Sequence, residues 1–119
     1  MSEPTYRLTP AADRDVQAIL RHSQQLFGPV QQQRYAQLID RAARLVAALP
    51  ERPGSRPRAD LGPGIRTFHV ELAAGRRGAA SHVLYYVLAG PPGEDPSVAI
   101  LRVLHEAMDP GRHLTGRRG

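Results

Sequence analysis

The first fifty residues carry apolar side chains at two successive spacings. Tyr6 and Leu8 alternate with a polar residue and predict a short strand. Thr9 then provides an N-cap and Pro10 suits a first helical position. Helical spacing follows over two segments, separated by Gly28-Pro29, whose apolar positions are Ala12, Val16, Ile19, Leu20, Phe27, then Tyr35, Leu38, Ile39, Ala42, Leu45, Val46 and Leu49. Two helices with so short a link predict an αα-hairpin.

The second half of the chain predicts a proline-rich loop and three strands. Residues 50–64 hold four prolines and three glycines, which exclude a helix or a central strand. Residues 66–72 alternate between apolar and polar side chains, while residues 82–88 and 98–104 are almost wholly apolar. The element order therefore predicts an α+β fold: an N-terminal strand, an αα-hairpin, then a three-stranded antiparallel meander in one sheet.

Length and composition limit the classes of protein to consider. At 119 residues we expect a single domain over residues 1–119, with its core at about 6–114 and a short basic tail at 115–119. There is no cysteine, and neither a secretory signal nor an apolar run long enough to span a bilayer is visible, so we expect a cytoplasmic protein. His105, Asp109 and His113 have helical spacing, but Pro110 and Gly111 argue against a metal site.

The net charge of +5 comes entirely from arginine, because the chain contains no lysine. Guanidinium groups remain charged and pair bidentately with carboxylate or phosphate. This charge suits either an acidic protein or a nucleic acid as the partner.

The last predicted strand carries an arginine in its interior and a histidine at its exit, Arg102 and His105. A charge within an apolar strand requires a specific partner. One interpretation is a buried guanidinium paired with Glu71 or Asp109, which would hold the following segment against the sheet. The alternative is direct contact with a target.

Five segments resemble, in the same order, those of the RelE/ParE family of bacterial toxins. They read Y-x-L-x-P-A-A-x-x-D at 6–15, F-G-P-x-Q at 27–31, P-G-I-R at 63–66, H-V-L-Y-Y at 82–86, and I-L-R-V-L-H-x-x-M-D-x-x-R-H-L at 100–114. The resemblance implies the fold predicted above and the toxin role in a type II toxin–antitoxin system.

Two activities are known in such toxins. RelE-like members cleave ribosome-bound messenger RNA, which needs a base, an acid and cations around the phosphate; the candidates here are Arg66, His82, Tyr86, Arg102 and His105. ParE-like members bind and poison DNA gyrase without being catalysts. The absence of lysine, the apolar strands and the form of the C-terminal segment favour the ParE-like activity, with messenger RNA cleavage as the alternative. A non-toxic binding module of the same fold is a third hypothesis.

The resemblance also implies binding surfaces and partners, and no cofactor. The residues expected to contact the target are Arg66, Tyr86, Arg102, His105, Met108, Asp109 and His113, with Tyr86 facing a surface cleft. We expect the segment from Met108 to Leu114 to dock back on the domain. An acidic segment of a ParD-like antitoxin, within a toxin–antitoxin hetero-oligomer, is expected to contact the helix residues Arg14, Arg21, Arg34, Arg41 and Arg44.

Overall fold

The computed structural model describes residues 5–89 and 97–114, so the predicted basic tail at 115–119 lies outside the described residues. Its elements are β1 (Thr5–Leu8), α1 (Pro10–Phe27), α2 (Pro29–Ala48), β2 (Arg56–Pro57), β3 (Arg66–His69), α3 (Glu71–Ala74), β4 (His82–Ala89), β5 (Ser97–His105) and α4 (Gly111–Leu114). The predicted α+β order of strand, two helices and strands in one sheet is confirmed.

The strands form one sheet in the order β1-β5-β4-β3-β2. The meander β3-β4-β5 is antiparallel, and β1 pairs with β5 in parallel. The two-residue β2 contains Pro57 and lies at the edge, the position in a sheet that tolerates a missing N–H donor. In the described part of the chain, no helix is long and apolar enough to cross a membrane.

The helical hairpin covers one face of the sheet. Thr9 caps α1 by accepting a hydrogen bond from the Ala12 N–H, and Gly28 adopts a φ of 90° between the two helices. Helix α2 presents small side chains to the sheet, including the fully buried Ala42 and Val46. These pack in one core with β4 and β5 residues such as Ile100.

The opposite face of the sheet is covered by the proline-rich loop and by α4. Leu61 and Ile65, from the proline-rich segment, pack with Tyr85 and Leu104 from the strands. Leu114 of α4 completes this second cluster and is only 9% exposed. The prediction that the C-terminal segment docks back on the domain is therefore confirmed.

The predicted strand over residues 66–72 is too long. β3 ends at His69, and Val70 begins a turn into α3, which ends before Gly75 at a φ of 74°. The Glu-Leu-Ala-Ala stretch at 71–74 favours a helix, and the left-handed Gly75 terminates it. The apolar alternation beyond His69 therefore does not mark one buried face: Val70 is fully buried, whereas Leu72 on α3 is 46% exposed.

Candidate functional site

The second half of β5 has an edge that β1 does not cover, and the start of α1 completes it. β1 pairs with β5 only as far as Ile100. Beyond it, the Thr9 hydroxyl group donates to the Leu101 carbonyl at 2.9 Å, and the Val103 N–H donates to Asp15 Oδ2 at 2.9 Å. The register of β4 and β5 shifts here, so Leu101 forms a bulge. Two polar side chains thus satisfy backbone groups that would otherwise form an open sheet edge.

Arg102 is held by the same carboxylate. Its Nε and Nη2 donate to the two oxygens of Asp15 at 2.7 and 2.8 Å, while Nη1 donates to the His113 carbonyl at a longer 3.4 Å. The Asp15 side chain is 14% exposed, and its hydrogen bonds raise the pKa of Arg102. The predicted partners Glu71 and Asp109 are therefore wrong, although the guanidinium does reach the C-terminal segment.

Tyr86 lies in the core rather than in a cleft. Its side chain has no exposed surface, so the prediction that it faces a surface cleft is wrong. A hydrogen-bond chain runs from Arg66 Nε to the Ser55 hydroxyl, from there to the Tyr86 hydroxyl, and on to the Pro50 carbonyl. Both the tyrosine and the arginine are thereby occupied in fastening the proline-rich loop.

Two histidines meet where β4 begins and β5 ends. The rings of His82 and His105 are edge to face with centroids 5.4 Å apart, and His82 Nδ1 lies 2.7 Å from the Tyr35 hydroxyl. Burial, followed by repulsion from His105 and His69, lowers the pKa of His82 to about 4. His82 is therefore neutral near pH 7 and a poor general acid there.

The residues proposed for RNA cleavage do not converge on one phosphate-sized site. His82 and His105 are in contact, whereas Tyr86 lies four residues further along β4, roughly 13 Å away. Arg66 is bound to Ser55 and Arg102 to Asp15. Both cations are thus engaged in internal hydrogen bonds, and Tyr86 lies away from the two histidines that would transfer protons.

The exit of β5 presents the most accessible of the predicted target-binding residues. His105, Met108 and Asp109 are exposed, and His113 is partly exposed. Met108 is 48% exposed. We call residues 106–114 the C-terminal turn. It is anchored at its start, where the Glu106 N–H donates to the Ser81 carbonyl, and at its end by Leu114.

The five helix arginines all face solvent. Arg14 and Arg21 are seven positions apart on α1, and Arg34 and Arg41 are seven apart on α2, so each pair lies on one side of its helix. Arg44 forms an exposed ion pair with Asp40 at 2.8 Å. The arginines therefore form two stripes opposite the buried faces of the hairpin.

An apolar groove opens beside the tip of the hairpin. It has a volume of about 470 Å³ and lies between the end of α1 and the start of β4, with Ile19, Leu26, Phe27, Tyr35, His82 and His105 among its lining residues. Leu26 and Phe27 are 59% and 67% exposed. No cluster of three or more histidine or acidic residues suited to a metal ion occurs within residues 5–89 and 97–114.

Sequence reasoning missed Asp15, the residue that organises this region. Asp15 ends the first of the family-like segments and Arg102 lies within the last, so both were visible as motif positions. Their pairing spans 87 residues and depends on how the hairpin crosses the sheet. No local spacing rule reports such a contact.

Comparison with family models identifies one family, and comparison with solved structures supports the fold. A family model described as the ParE toxin of the type II toxin–antitoxin system parDE matches residues 6–110. Among solved structures, a chain of the chromosomal ParDE TA system from P. aeruginosa is similar at 20% sequence identity and a TM-score of 0.64. The match covers 87% of this chain and 96% of that chain. A search of curated proteins found no significant match.

Proposed function

Because this chain belongs to the ParE toxin family of type II toxin–antitoxin systems, we propose that it acts in the cytoplasm, as a single domain, by binding and poisoning DNA gyrase. One observation carries the choice of gyrase over messenger RNA. Of the five candidate residues for RNA cleavage, His82 and His105 are in contact, Arg66 and Arg102 are bound to Ser55 and Asp15, and Tyr86 is completely buried. A binding mechanism needs an accessible surface instead, and does not require an acid and a base around one phosphate.

The C-terminal turn, together with His105, is the surface proposed for the gyrase contact. It combines an exposed methionine with neighbouring polar and charged groups, the mixture found in protein interfaces. Its backbone is held by hydrogen bonds from the Met108 N–H to the His105 carbonyl and from the Arg112 N–H to the Asp109 carbonyl. A surface fixed in this way loses little conformational entropy on binding.

The experiment compares purified wild-type protein with Met108→Glu in a gyrase supercoiling assay that also detects cleaved DNA. Leu88→Glu is the matched control, because Leu88 is similarly exposed, at 57%, but lies on β4. We expect wild type and the control to inhibit supercoiling and accumulate cleaved DNA, and Met108→Glu to lose at least roughly tenfold in potency. Cleavage of ribosome-bound messenger RNA with gyrase unaffected would overturn the proposal and favour the RelE-like alternative.

We further propose that an antitoxin of the ParD type neutralises this toxin by placing an acidic, amphipathic segment along the hairpin. The apolar groove with Leu26 and Phe27 would take its apolar side chains, and the arginine stripes would attract its acidic ones. Such a segment would fold on binding, its ordering offset by burial of the exposed apolar groups. Substitution of Phe27 by Asp should abolish neutralisation in a growth assay, whereas Leu88→Asp, at a strand residue that is 57% exposed, should retain it.

A further inference from the structure

The contacts of Arg102 point to a positioning residue for the proposed gyrase surface. We propose that Asp15, acting through Arg102, holds the C-terminal turn in the conformation that binds the target. The inference rests on the proposed function, because it concerns the same surface. Asp15 itself lies on α1, and its hydrogen bonds go to Arg102 and Val103 of β5 rather than to the C-terminal turn.

The geometry assigns each donor of the Arg102 guanidinium a separate task. The carboxylate of Asp15 receives Nε and Nη2 in a bidentate pair, and this fixes the plane of the guanidinium group. Nη1 is left to donate to the backbone carbonyl of His113, in the last turn of the chain that the structure describes. Without the bidentate pair, a flexible arginine side chain would not be held toward that carbonyl.

Asp15 is in turn positioned by the backbone of the sheet. Its Oδ2 accepts the Val103 N–H as well as Arg102 Nε, so one carboxylate joins α1, β5 and, through the guanidinium, the C-terminal turn. The Leu101 bulge places this arrangement at the uncovered edge of β5. A cleft of about 660 Å³ lined by Thr9, Arg102 and His113 lies beside it, so little other packing restrains the turn on this side.

The other anchors leave a specific gap that Arg102 fills. The start of the turn is tied to Ser81 and, through Glu106, to His69 at 2.7 Å. Its end is tied through the Leu114 side chain on the face of the sheet. Arg102 ties the His113 backbone to β5, whereas the His113 N–H bonds within the turn itself, to the Pro110 carbonyl. Loss of the Arg102 contact should therefore free the turn without exposing the main core.

The test uses the full chain with Asp15→Asn, which removes the charge but keeps an oxygen for the Val103 N–H. Asp60→Asn is the matched control, since Asp60 receives a bidentate guanidinium from Arg58 in an exposed loop. Hydrogen exchange of the peptide covering 106–114 and trypsin cleavage after Arg112 are measured without gyrase. We expect Asp15→Asn to exchange at least roughly tenfold faster in this peptide, with α2 unchanged, and the control to match wild type.

Gyrase inhibition by the same variants gives the second readout. Asp15→Asn should lose potency while its affinity for the antitoxin is retained, and Asp15→Glu should restore part of the potency because it keeps the carboxylate. Arg102→Lys retains the positive charge but loses the planar guanidinium that forms the bidentate pair, so it should behave like Asp15→Asn. Agreement between the two variants guards against a fold defect specific to position 15.

Unchanged exchange in the turn for both Asp15→Asn and Arg102→Lys would overturn the positioning role, whatever the target is. So would faster exchange combined with full potency against gyrase. If the wild-type protein leaves gyrase unaffected, the proposed function fails, and the exchange data still decide the positioning role.

Discussion

The Tyr86 hydroxyl group donates a hydrogen bond to the Pro50 carbonyl at 2.6 Å, across 36 positions of the chain. Because Tyr86 is the donor there, its oxygen must accept the hydrogen bond that it shares with Ser55. Ser55 in turn accepts from Arg66 Nε at 2.8 Å. A central strand thus fastens the first part of the proline-rich loop, from Pro50 to Ser55, to the core.

These hydrogen bonds predict that Tyr86→Phe destabilises the protein but leaves its action on the target unchanged. Removing one hydroxyl leaves the partly buried Pro50 carbonyl and the Ser55 hydroxyl short of a partner, which should cost about 2 kcal/mol of unfolding free energy. Urea unfolding measures the difference. Tyr85→Phe is the control: Tyr85 is 5% exposed on the opposite face and makes no side-chain hydrogen bond within the described residues. Gyrase inhibition should survive in both variants at a temperature where both are folded.

Reversing charge on one side of α2 should slow antitoxin association. Arg34 and Arg41 are exposed on the same side of the helix, so the double variant Arg34→Glu/Arg41→Glu repels an acidic segment as it approaches. We expect the association rate to fall roughly tenfold at low ionic strength, with a smaller difference at high salt because exposed charges are screened. Stopped-flow mixing measures both conditions. The exposed pair Arg76 and Arg77, changed in the same way, controls for net charge. Equal slowing by the control pair would contradict a specific role for α2.

Acid should destabilise the protein through His82. Burial lowers the pKa of this histidine from 6.5 to about 4, so below pH 6.5 the unfolded chain binds a proton that the folded chain excludes. The contribution of His82 to stability is complete above pH 6.5 and is lost progressively as the pH falls toward 4. Thermal unfolding between pH 7.5 and pH 4.5 should show a shallower decline for His82→Asn than for wild type. His22→Asn changes an exposed histidine and should keep the wild-type decline.

Shortening Leu114 should loosen the second cluster. Its side chain packs beside Leu61 and Leu104 and is 9% exposed, so Leu114→Ala is expected to cost about 2 kcal/mol of unfolding free energy. Leu49→Ala removes the same atoms from a side chain that is 53% exposed and should cost well below 1 kcal/mol. If chemical denaturation showed equal losses of unfolding free energy for Leu114→Ala and Leu49→Ala, the proposed packing role of Leu114 would be contradicted.

The sequence by itself determined the elements whose signals are local. Thr9-Pro10 and Gly28-Pro29 mark where the helices begin, and apolar spacing assigns each helix its buried face. The family-like segments led to the toxin family that the comparisons show. The end of β3 was misjudged because Val70 and Leu72 continue the apolar alternation, although Leu72 lies exposed on a helical turn.

Only the tertiary structure decided which distant groups meet. β1 lies beside β5 because the helical hairpin carries the chain across the sheet, and that placement leaves the edge that Asp15 completes. Arg102 was recognisable as a charge that needs a partner, but the sequence alone did not show which carboxylate it meets, and Glu71 and Asp109 were the predicted candidates. Tyr86 and Tyr85 likewise differ only in the face of the sheet that each occupies. Side-chain chemistry is encoded locally, whereas the partner of a buried charge or hydroxyl depends on how separate elements pack.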